Sequence, residues 1–267
     1  MPDLLLKNHA PDASGLVHRV TPASAGWTYV GFEVWRLQPG MGVEQATGER
    51  EHCLVLLGGR ADVRVDGTSW PDIGGRKGPF DEESPFSVYV PAGRRWSLEA
   101  RTPVELGVCS APGGGSFEPR LIGPDAVGRG TRGTGTNVRH VKDILPEGAP
   151  AHSLLVVEVI TPGGHWSSYP PHKHDKDDLP GESLLEETYY HRLDPPQGFA
   201  LQRVYNDDRS LDVAMAVGDG DVVLVPEGYH PCGAAHGYDL YYLNVMAGPH
   251  RAWRFNTEAA HRWLLQA

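Results

Sequence analysis

The segment Val-Leu-Val-Pro-Glu-Gly-Tyr-His at 223–230 is echoed by Val-Tyr-Val-Pro-Ala-Gly-Arg-Arg at 88–95. Each copy is a β-branched run stopped by Pro-x-Gly, a pattern typical of a strand that ends in a tight turn. The copies lie 135 residues apart, which is about half of the 267-residue chain. The echo therefore predicts two similar halves, each built around such a strand.

Further short strands are predicted around both copies. Residues 53–67 and 185–207 each read as strand, turn, strand and turn, and residues 96–109 and 238–246 follow the two copies as additional strands. Many short strands at turn-rich spacing favour a sandwich or a small barrel. Helical periodicity appears mainly at 258–266. We therefore predict an all-β protein with few short helices.

The echo also suggests the domain boundaries. We expect a first barrel over 1–120, a Gly-rich linker or surface arm over 121–150, and a second barrel over 151–267. The glycines of the linker lack the strand-to-helix context and the GxxxxGK[ST] pattern of a phosphate loop. A basic Gly-rich loop can nevertheless close over an anion.

Composition narrows the range of partners. The net charge of −10 disfavours nucleic acid, and no run approaches the roughly 20 apolar residues of a membrane span. No signal peptide is expected. The three cysteines, Cys53, Cys109 and Cys232, form no CxxC pair, so we expect buried thiols in a reducing cytoplasm. An anionic metabolite remains compatible, because a metal and arginines can set the local field of a pocket.

Metal-binding chemistry is indicated by Pro-Pro-His172-Lys173-His174-Asp. On an extended segment His172 and His174 share one face, whereas Lys173 points away. Glu187 opens an aromatic strand, and His230 follows the Pro-x-Gly turn. Three imidazoles and one carboxylate suit Zn²⁺, Fe²⁺ or Mn²⁺ and can leave coordination positions open.

This order of residues resembles the two sequence motifs of cupins. The chain departs from them in one respect: residues 175–186 separate His174 from Glu187, a longer interval than most cupins have. Glu186 and Glu187 therefore both remain candidate ligands, and Glu182 is a more remote one. We prefer Glu187, because in cupins a short aromatic or aliphatic strand typically follows the ligand glutamate.

A closer resemblance is to the 5-deoxy-glucuronate isomerases of inositol catabolism. This resemblance is dense over 150–257 and weaker over the first 120 residues. The related 4-deoxy-threo-hexosulose-uronate ketol-isomerases share the bicupin plan, but the chain resembles them less. The strings that carry the closer resemblance are SLLVVEV (153–159), HWSSYPPHKHD (165–175), LEETYYH (185–191), QRVYNDDRSLD (202–212) and YYLNVMAGP (241–249).

The resemblance implies a bicupin of two jelly-roll barrels. It also implies an intramolecular oxidoreductase, an aldose–ketose isomerase that converts 5-deoxy-D-glucuronate to 5-dehydro-2-deoxy-D-gluconate. The resemblance further implies one divalent ion (Zn, Mn or Fe) per chain, a small uronic acid as the partner and a cytoplasmic location. It leaves homo-oligomerisation open. The first half has Arg95 in the place of His230, so we expect it to be metal-free. The alternatives are a cupin dioxygenase with the same ligands and a non-catalytic sugar-binding cupin.

Substrate binding and proton transfer need further side chains. Arg203 is our first candidate for the substrate carboxylate, because a guanidinium grips a carboxylate through two parallel bonds. Arg209 is the second, although its turn also offers Asp207 or Asp208 as ion-pair partners. The candidates for proton transfer, each of which also suits a packing role, are Tyr205, Tyr242, His191 and Glu186.

Overall fold

A computed structural model describes residues 3–114 and 116–266, with side chains as far as 265. The all-β prediction is confirmed, because α1 (Pro22–Ala25) is the only α-helix in this part of the chain. Three short 3₁₀ helices cover Pro124–Ala126, Gly135–Asn137 and Ala259–Gln266, the last in the segment with helical periodicity. Among the described residues, no helix has the length and apolar character that a membrane span requires.

Strands make up most of the regular structure. Those that begin before residue 128 are β1 (Leu5–Leu6), β2 (Leu16–Val20), β3 (Gly31–Leu37), β4 (Gly42–Ala46), β5 (Arg50–Gly58), β6 (Arg60–Val65), β7 (Thr68–Gly74), β8 (Ser87–Val90), β9 (Arg95–Ala100), β10 (Val104–Pro112) and β11 (Arg120–Ile122). The later ones are β12 (Gly128–Arg132), β13 (Arg139–Leu145), β14 (Leu155–Thr161), β15 (Trp166–Ser167), β16 (His172–Lys173), β17 (Asp175–Asp178), β18 (Glu182–Leu184), β19 (Glu186–Asp194), β20 (Ala200–Tyr205), β21 (Asp212–Val217), β22 (Val222–Val225), β23 (Cys232–Ala234), β24 (Asp239–Ala247) and β25 (Asn256–Thr257).

The described chain divides into two compact units. The amino-terminal unit contains residues 9–128 (without 115) and 143–156, and the carboxy-terminal unit contains residues 3–8, 129–142 and 157–266. The segment 121–150, expected to be a linker or arm, carries β12 and β13. Glycines interrupt the side-chain alternation of β12, whereas β13 contains none. How the two halves divide their roles stays a prediction.

Two sheets build the amino-terminal unit. One has the order β11-β8-β5-β10-β3-β2 and the other β4-β9-β6-β7. One hydrophobic cluster draws on both sheets, with Leu54 and Leu56 from the first and Val63, Trp96 and Leu98 from the second. Full burial of each such side chain contributes about 1.5–3 kcal/mol.

A buried carboxylate ties the late segment of this unit to β5. Glu51 is fully buried, and its oxygens accept the backbone N–H groups of His152 (2.8 Å), Ser153 (2.6 Å) and Leu154 (2.6 Å). The hydroxyl of Tyr89 donates a further bond at 2.5 Å. Charge-assisted bonds of this kind are about twice as strong as neutral ones. Residues 152–154 are therefore held against the start of β5, which carries Glu51.

The carboxy-terminal unit has a seven-stranded sheet of order β1-β22-β19-β24-β14-β13-β12 and a four-stranded sheet of order β15-β23-β20-β21. The echo of the sequence is visible in the strand register. Val225 of β22 pairs with Glu187 of β19, and the equivalent Val90 of β8 pairs with His52 of β5. The amino-terminal unit therefore carries a histidine at the register position of Glu187.

Candidate metal centre

Strand alternation places the two histidines of the His-x-His motif. His172 pairs with Thr257 across β16 and β25, and the side chain of His174 packs against Glu187 of β19. Lys173 points elsewhere, with its Nζ 2.6 Å from Asp207 and 3.0 Å from Asp175. The lysine is thus paired with carboxylates on the side away from Glu187, whereas His174 contacts that glutamate.

The predicted ligands come together in the carboxy-terminal unit. Nε2 of His174 lies 3.1 Å from Oε2 of Glu187, and Nε2 of His230 lies 3.2 Å from the same oxygen. Ligand atoms of these three buried residues all lie within 4.8 Å of one another. The ring of His172 is centred 5.1 Å from that of His230 and 6.4 Å from that of His174. Three of the four predicted ligands therefore meet around one small volume, and His172 lies beside them but outside the group of ligand atoms.

Backbone carbonyls orient two of the rings. Nδ1 of His174 lies 3.1 Å from the carbonyl oxygen of Leu185, and Nδ1 of His230 lies 2.8 Å from that of Gly228. An Nδ1–H that donates to a carbonyl leaves the lone pair on Nε2. The carbonyls thus favour the tautomer in which Nε2 can bind a metal.

The electrostatics of the cluster fit a cation. Nε2 of His230 is buried and has no hydrogen-bond partner among the residues that the structure describes. Burial lowers the pKa of both His172 and His230 to about 3, so these rings are neutral ligands at pH 7. Burial alone would lower the pKa of His174, but the hydrogen bond with Glu187 and the charge of that carboxylate outweigh it and raise the pKa. Two neutral imidazoles and a third imidazole paired with a carboxylate form a donor set that suits a divalent ion once the third ring loses its proton.

A small cavity, here called the inner cavity, borders this cluster. Its volume is about 30 Å³, enough for an ion with a water molecule or the end of a ligand. Its lining residues are Arg132, Arg139, Val141, Val159, Ser168, His172, Glu187, Tyr189, Tyr242, Asn244 and Trp253. Of the predicted proton-transfer residues, Tyr242 lines it, whereas Tyr205, His191 and Glu186 do not.

A larger neighbouring cavity, here called the outer cavity, shares two residues with the inner one. Its volume is about 250 Å³, close to the lower end of the range for small-molecule sites. His172 and Arg139 line both cavities. A small ligand in the outer cavity would therefore lie directly beside the histidine cluster.

Tyr189 is an inner-cavity residue that our sequence reasoning missed. Its hydroxyl lies 2.8 Å from Oγ of Ser168, and its ring is centred 4.8 Å from that of Tyr242. Burial raises the pKa of Tyr189 well above its usual value, so the phenol stays protonated and can donate a hydrogen bond. The signal was present, because Tyr189 follows Glu187 by two residues and strand alternation puts both on one face.

The two predicted substrate-binding arginines lie in ion pairs. Arg203 donates to both carboxylate oxygens of Asp212 at 2.7 Å. Arg209 pairs with Glu258 at 2.8 Å, not with Asp207 or Asp208 as its turn suggested. Both guanidinium groups stack on the ring of Tyr205 at 4.2 Å. Neither arginine lines the inner or the outer cavity, and their role in substrate binding stays a prediction.

Two further proton-transfer candidates, Tyr205 and His191, do not line the inner cavity. Tyr205 donates its hydroxyl proton to Glu258 at 2.6 Å. Nε2 of His191 lies 2.8 Å from Oε1 of Gln202, and burial lowers the pKa of this histidine to about 4. Its ring stacks on that of Tyr189 at 5.7 Å. His191 therefore packs against the ring of Tyr189 and helps to fix its position.

The alternative carboxylates lie outside the ligand group. Glu186, the neighbour of Glu187, pairs with Ala247 in the β19–β24 register, and strand alternation directs it to the other face. Glu182 accepts the backbone N–H of Asp175 at 3.0 Å. Within the described residues, the group of potential metal ligands contains Glu187 alone among the three glutamates.

Comparison with known proteins identifies the family. A family model described as KduI/IolB matches residues 4–264. The chain belongs to the KduI/IolB family. Members with which it aligns are named 5-deoxy-glucuronate isomerase: one from Geobacillus kaustophilus is 54% identical over 100% of this chain and 97% of its own length. One from Bacillus subtilis is 46% identical over 94% of this chain and 93% of its own length.

Solved structures confirm the bicupin fold of this KduI/IolB member. An IolB-like protein of Salmonella typhimurium superposes with a TM-score of 0.96 and 51% identity, over 99% of this chain and 100% of the other. A point mutant of oxalate decarboxylase from Bacillus subtilis gives a TM-score of 0.64 at 14% identity, covering 96% and 80% of the two chains. The second likeness shows the fold alone.

The amino-terminal unit of this family member has other residues at the equivalent positions. Nδ1 of His52, at the register of Glu187, accepts the indole N–H of Trp96 at 3.0 Å. Arg95, at the place of His230, is exposed and lies 3.9 Å from Glu44. That this half holds no metal stays a prediction.

Proposed function

We propose that this chain isomerises 5-deoxy-D-glucuronate to 5-dehydro-2-deoxy-D-gluconate with one divalent ion held by His172, His174, Glu187 and His230. The isomerase activity rests on full-length similarity to isomerases of that name. The ion rests on one observation above all: Nε2 of His230 is buried without a hydrogen bond, beside a carboxylate oxygen. An ion in the cluster would accept that lone pair.

When bound, Zn²⁺, Mn²⁺ or Fe²⁺ supplies Lewis-acid polarisation of the substrate's carbonyl and neighbouring hydroxyl. The chain supplies the surroundings. Tyr189 and Tyr242 line the inner cavity, and burial raises the pKa of both phenols. They therefore act as hydrogen-bond donors to substrate oxygens and not as bases at neutral pH. We retain Tyr242 from the predicted candidates and add Tyr189.

The test is aldose–ketose interconversion of 5-deoxy-D-glucuronate by metal-stripped protein and by protein restored with Zn²⁺, Mn²⁺ or Fe²⁺. We expect turnover only after restoration, and none in His174→Ala. His250→Ala is the matched control, because His250 is exposed on the same unit. If protein with one bound ion per chain shows no turnover, the isomerase proposal fails in favour of a dioxygenase or a sugar-binding cupin.

We further propose a cytoplasmic location and a small uronic acid as the partner. The three cysteines are free and buried, which agrees with a reducing compartment. Whether the chain forms a homo-oligomer is decided by light scattering at assay concentration.

A further inference from the structure

Arg139 lies where the inner and outer cavities of the carboxy-terminal unit meet. It lines the inner cavity together with Glu187, Tyr189 and Tyr242. It also lines the outer cavity of about 250 Å³, together with apolar residues such as Phe255 and polar ones such as Thr257. A ligand in the outer cavity that reaches towards the histidine cluster therefore meets this guanidinium.

Most of the N–H donors of the Arg139 guanidinium remain available for a ligand. Its Nη1 donates to the carbonyl oxygen of Asn137 at 3.1 Å. Unlike Arg203 and Arg192, it has no carboxylate partner within 4.0 Å among the described residues. A guanidinium offers five N–H donors, and burial lowers the pKa of Arg139 from its usual value. A partly buried cation without a carboxylate partner favours the binding of an anion.

The Gly-rich loop before Arg139 holds the guanidinium in place. Gly133 has φ of 82°, and a Cβ at this position would lie 2.1 Å from the carbonyl oxygen of Asn137 and 2.7 Å from Nη1 of Arg139. Only glycine tolerates this backbone conformation and this close approach. The loop whose basic, Gly-rich sequence suggested contact with an anion therefore packs directly on an arginine of the cavity.

The charges that line the inner cavity are unbalanced. Arg132 and Arg139 are its cationic residues, and Glu187 is its one carboxylate among the residues described. The guanidinium of Arg132 stacks over Trp253 at 5.3 Å. Glu187 already belongs to the metal-ligand group, so a bound divalent ion would make the cavity strongly positive. Such a cavity selects a ligand with negative charge.

We propose that Arg139 binds the carboxylate of the sugar acid and so makes the enzyme select uronates over neutral sugars. This inference rests on the proposed function, because it takes the substrate to be a uronic acid. Two parallel N–H···O bonds from one guanidinium to one carboxylate give this recognition both strength and orientation. Arg139 replaces Arg203 and Arg209 in this role, since both of those already bind carboxylates of the chain.

The test compares two substrates and four proteins. The substrates are 5-deoxy-D-glucuronate and 5-deoxy-D-glucose, which has no carboxylate. The proteins are wild type, Arg139→Gln, Arg139→Lys and the matched control Arg192→Gln, whose arginine pairs with Asp219. We expect Arg139→Gln to lower kcat/KM for the uronate by about 100-fold or more, as expected for loss of a charge-assisted bidentate contact. Arg192→Gln should leave it unchanged.

The neutral sugar gives the contrast. Arg139→Gln should leave its kcat/KM within about threefold, so the preference for the uronate disappears. Arg139→Lys keeps the positive charge but lacks the two parallel N–H donors of a guanidinium. We therefore expect an intermediate loss of about 10-fold in kcat/KM for the uronate. Because this variant is conservative, it keeps the test valid if Arg139→Gln folds poorly. An unchanged uronate preference in Arg139→Gln or Arg139→Lys overturns the inference, as does a loss of preference in Arg203→Gln instead.

Calorimetric binding of D-glucuronate separates this inference from the proposed function. The probe has the carboxylate and needs no turnover. Wild type that binds the probe but isomerises nothing refutes the proposed function, and the Arg139→Gln titration then still decides the carboxylate site. Weaker binding to Arg139→Gln supports the inference. Equal binding to both proteins, or no binding to wild type, overturns it.

Discussion

Nε2 of His230 lies 3.2 Å from Oε2 of Glu187, yet no hydrogen bond joins the two residues. The other ring nitrogen of His230, Nδ1, lies within hydrogen-bond distance of the carbonyl oxygen of Gly228, at 2.8 Å. A buried lone pair that faces a carboxylate is costly unless a cation lies between them. The proposed metal site rests on this relationship, because an ion bound there would accept the lone pair of His230.

The first prediction concerns which glutamate is the ligand. Glu187→Gln should lower the affinity for a divalent ion by more than about 100-fold, since loss of an outer hydrogen-bond partner alone costs about 10–100-fold. Glu186→Gln changes the adjacent carboxylate on the opposite face and should keep the metal. Metal content by mass spectrometry and calorimetric titration measure both. Metal loss in Glu186→Gln alone would reverse the assignment.

The second prediction concerns Gly228 of the Pro-x-Gly-x-His turn. Gly228 has φ of 86°, and a Cβ there would lie 2.4 Å from the backbone oxygen of Tyr205. Gly228→Ala should therefore destabilise the protein by about 2–4 kcal/mol, from left-handed strain and overlap together, and weaken metal binding by displacing His230.

Gly237 supplies the control for this second prediction. It has the same φ of 86°, but no other atom lies within 4 Å of the position that a Cβ would take. Gly237→Ala should cost only the strain of about 1–2 kcal/mol and leave metal affinity unchanged. Urea unfolding and metal titration compare the two variants. Equal effects on both quantities would contradict the role given to the turn.

The third prediction concerns the buried carboxylate of Glu51. Glu51→Gln replaces an acceptor of four hydrogen bonds by an amide with only one oxygen, so we expect a loss of about 2–5 kcal/mol in the free energy of unfolding. Glu49→Gln, on the exposed surface nearby, should change it by less than about 0.5 kcal/mol. Urea denaturation measures both. A neutral Glu51→Gln would show that the bonds to residues 152–154 contribute little.

The fourth prediction is a pH dependence from His52. Burial, with a smaller effect from the charge of Arg50, lowers the pKa of His52 from 6.5 to about 4. The unfolded chain therefore takes up this proton at a higher pH than the folded one. The stability due to neutral His52 is fully present above pH 6.5 and is lost as the pH falls towards 4.

His52→Gln keeps an acceptor for Trp96 but cannot titrate. Between about pH 7.5 and pH 5, wild type should lose about 2 kcal/mol more unfolding free energy than His52→Gln. Urea unfolding at the two pH values measures the difference. Identical losses would mean that His52 titrates normally in the folded protein.

The local pattern of the sequence determined much of this protein. The paired Pro-x-Gly strands predicted two β halves, and alternation along His172-Lys173-His174 predicted which side chains share a face. These inferences succeed because strand alternation and tight turns depend on neighbouring residues alone. Three of the predicted ligands, His174, Glu187 and His230, come together because each lies next to a recognisable strand, and the role of His172 as the fourth stays a prediction.

Tertiary structure decided what the local pattern could not. Arg139 belongs to a Gly-rich segment that was expected to be a linker or arm, and it lines the cavity because β13 joins the sheet beside β14. Arg203 and Arg209 looked suited to bind substrate, but Asp212 and Glu258 already pair with them. Which cation meets which carboxylate depends on the packing of distant strands, and that arrangement is fixed only when the sheets close around the core.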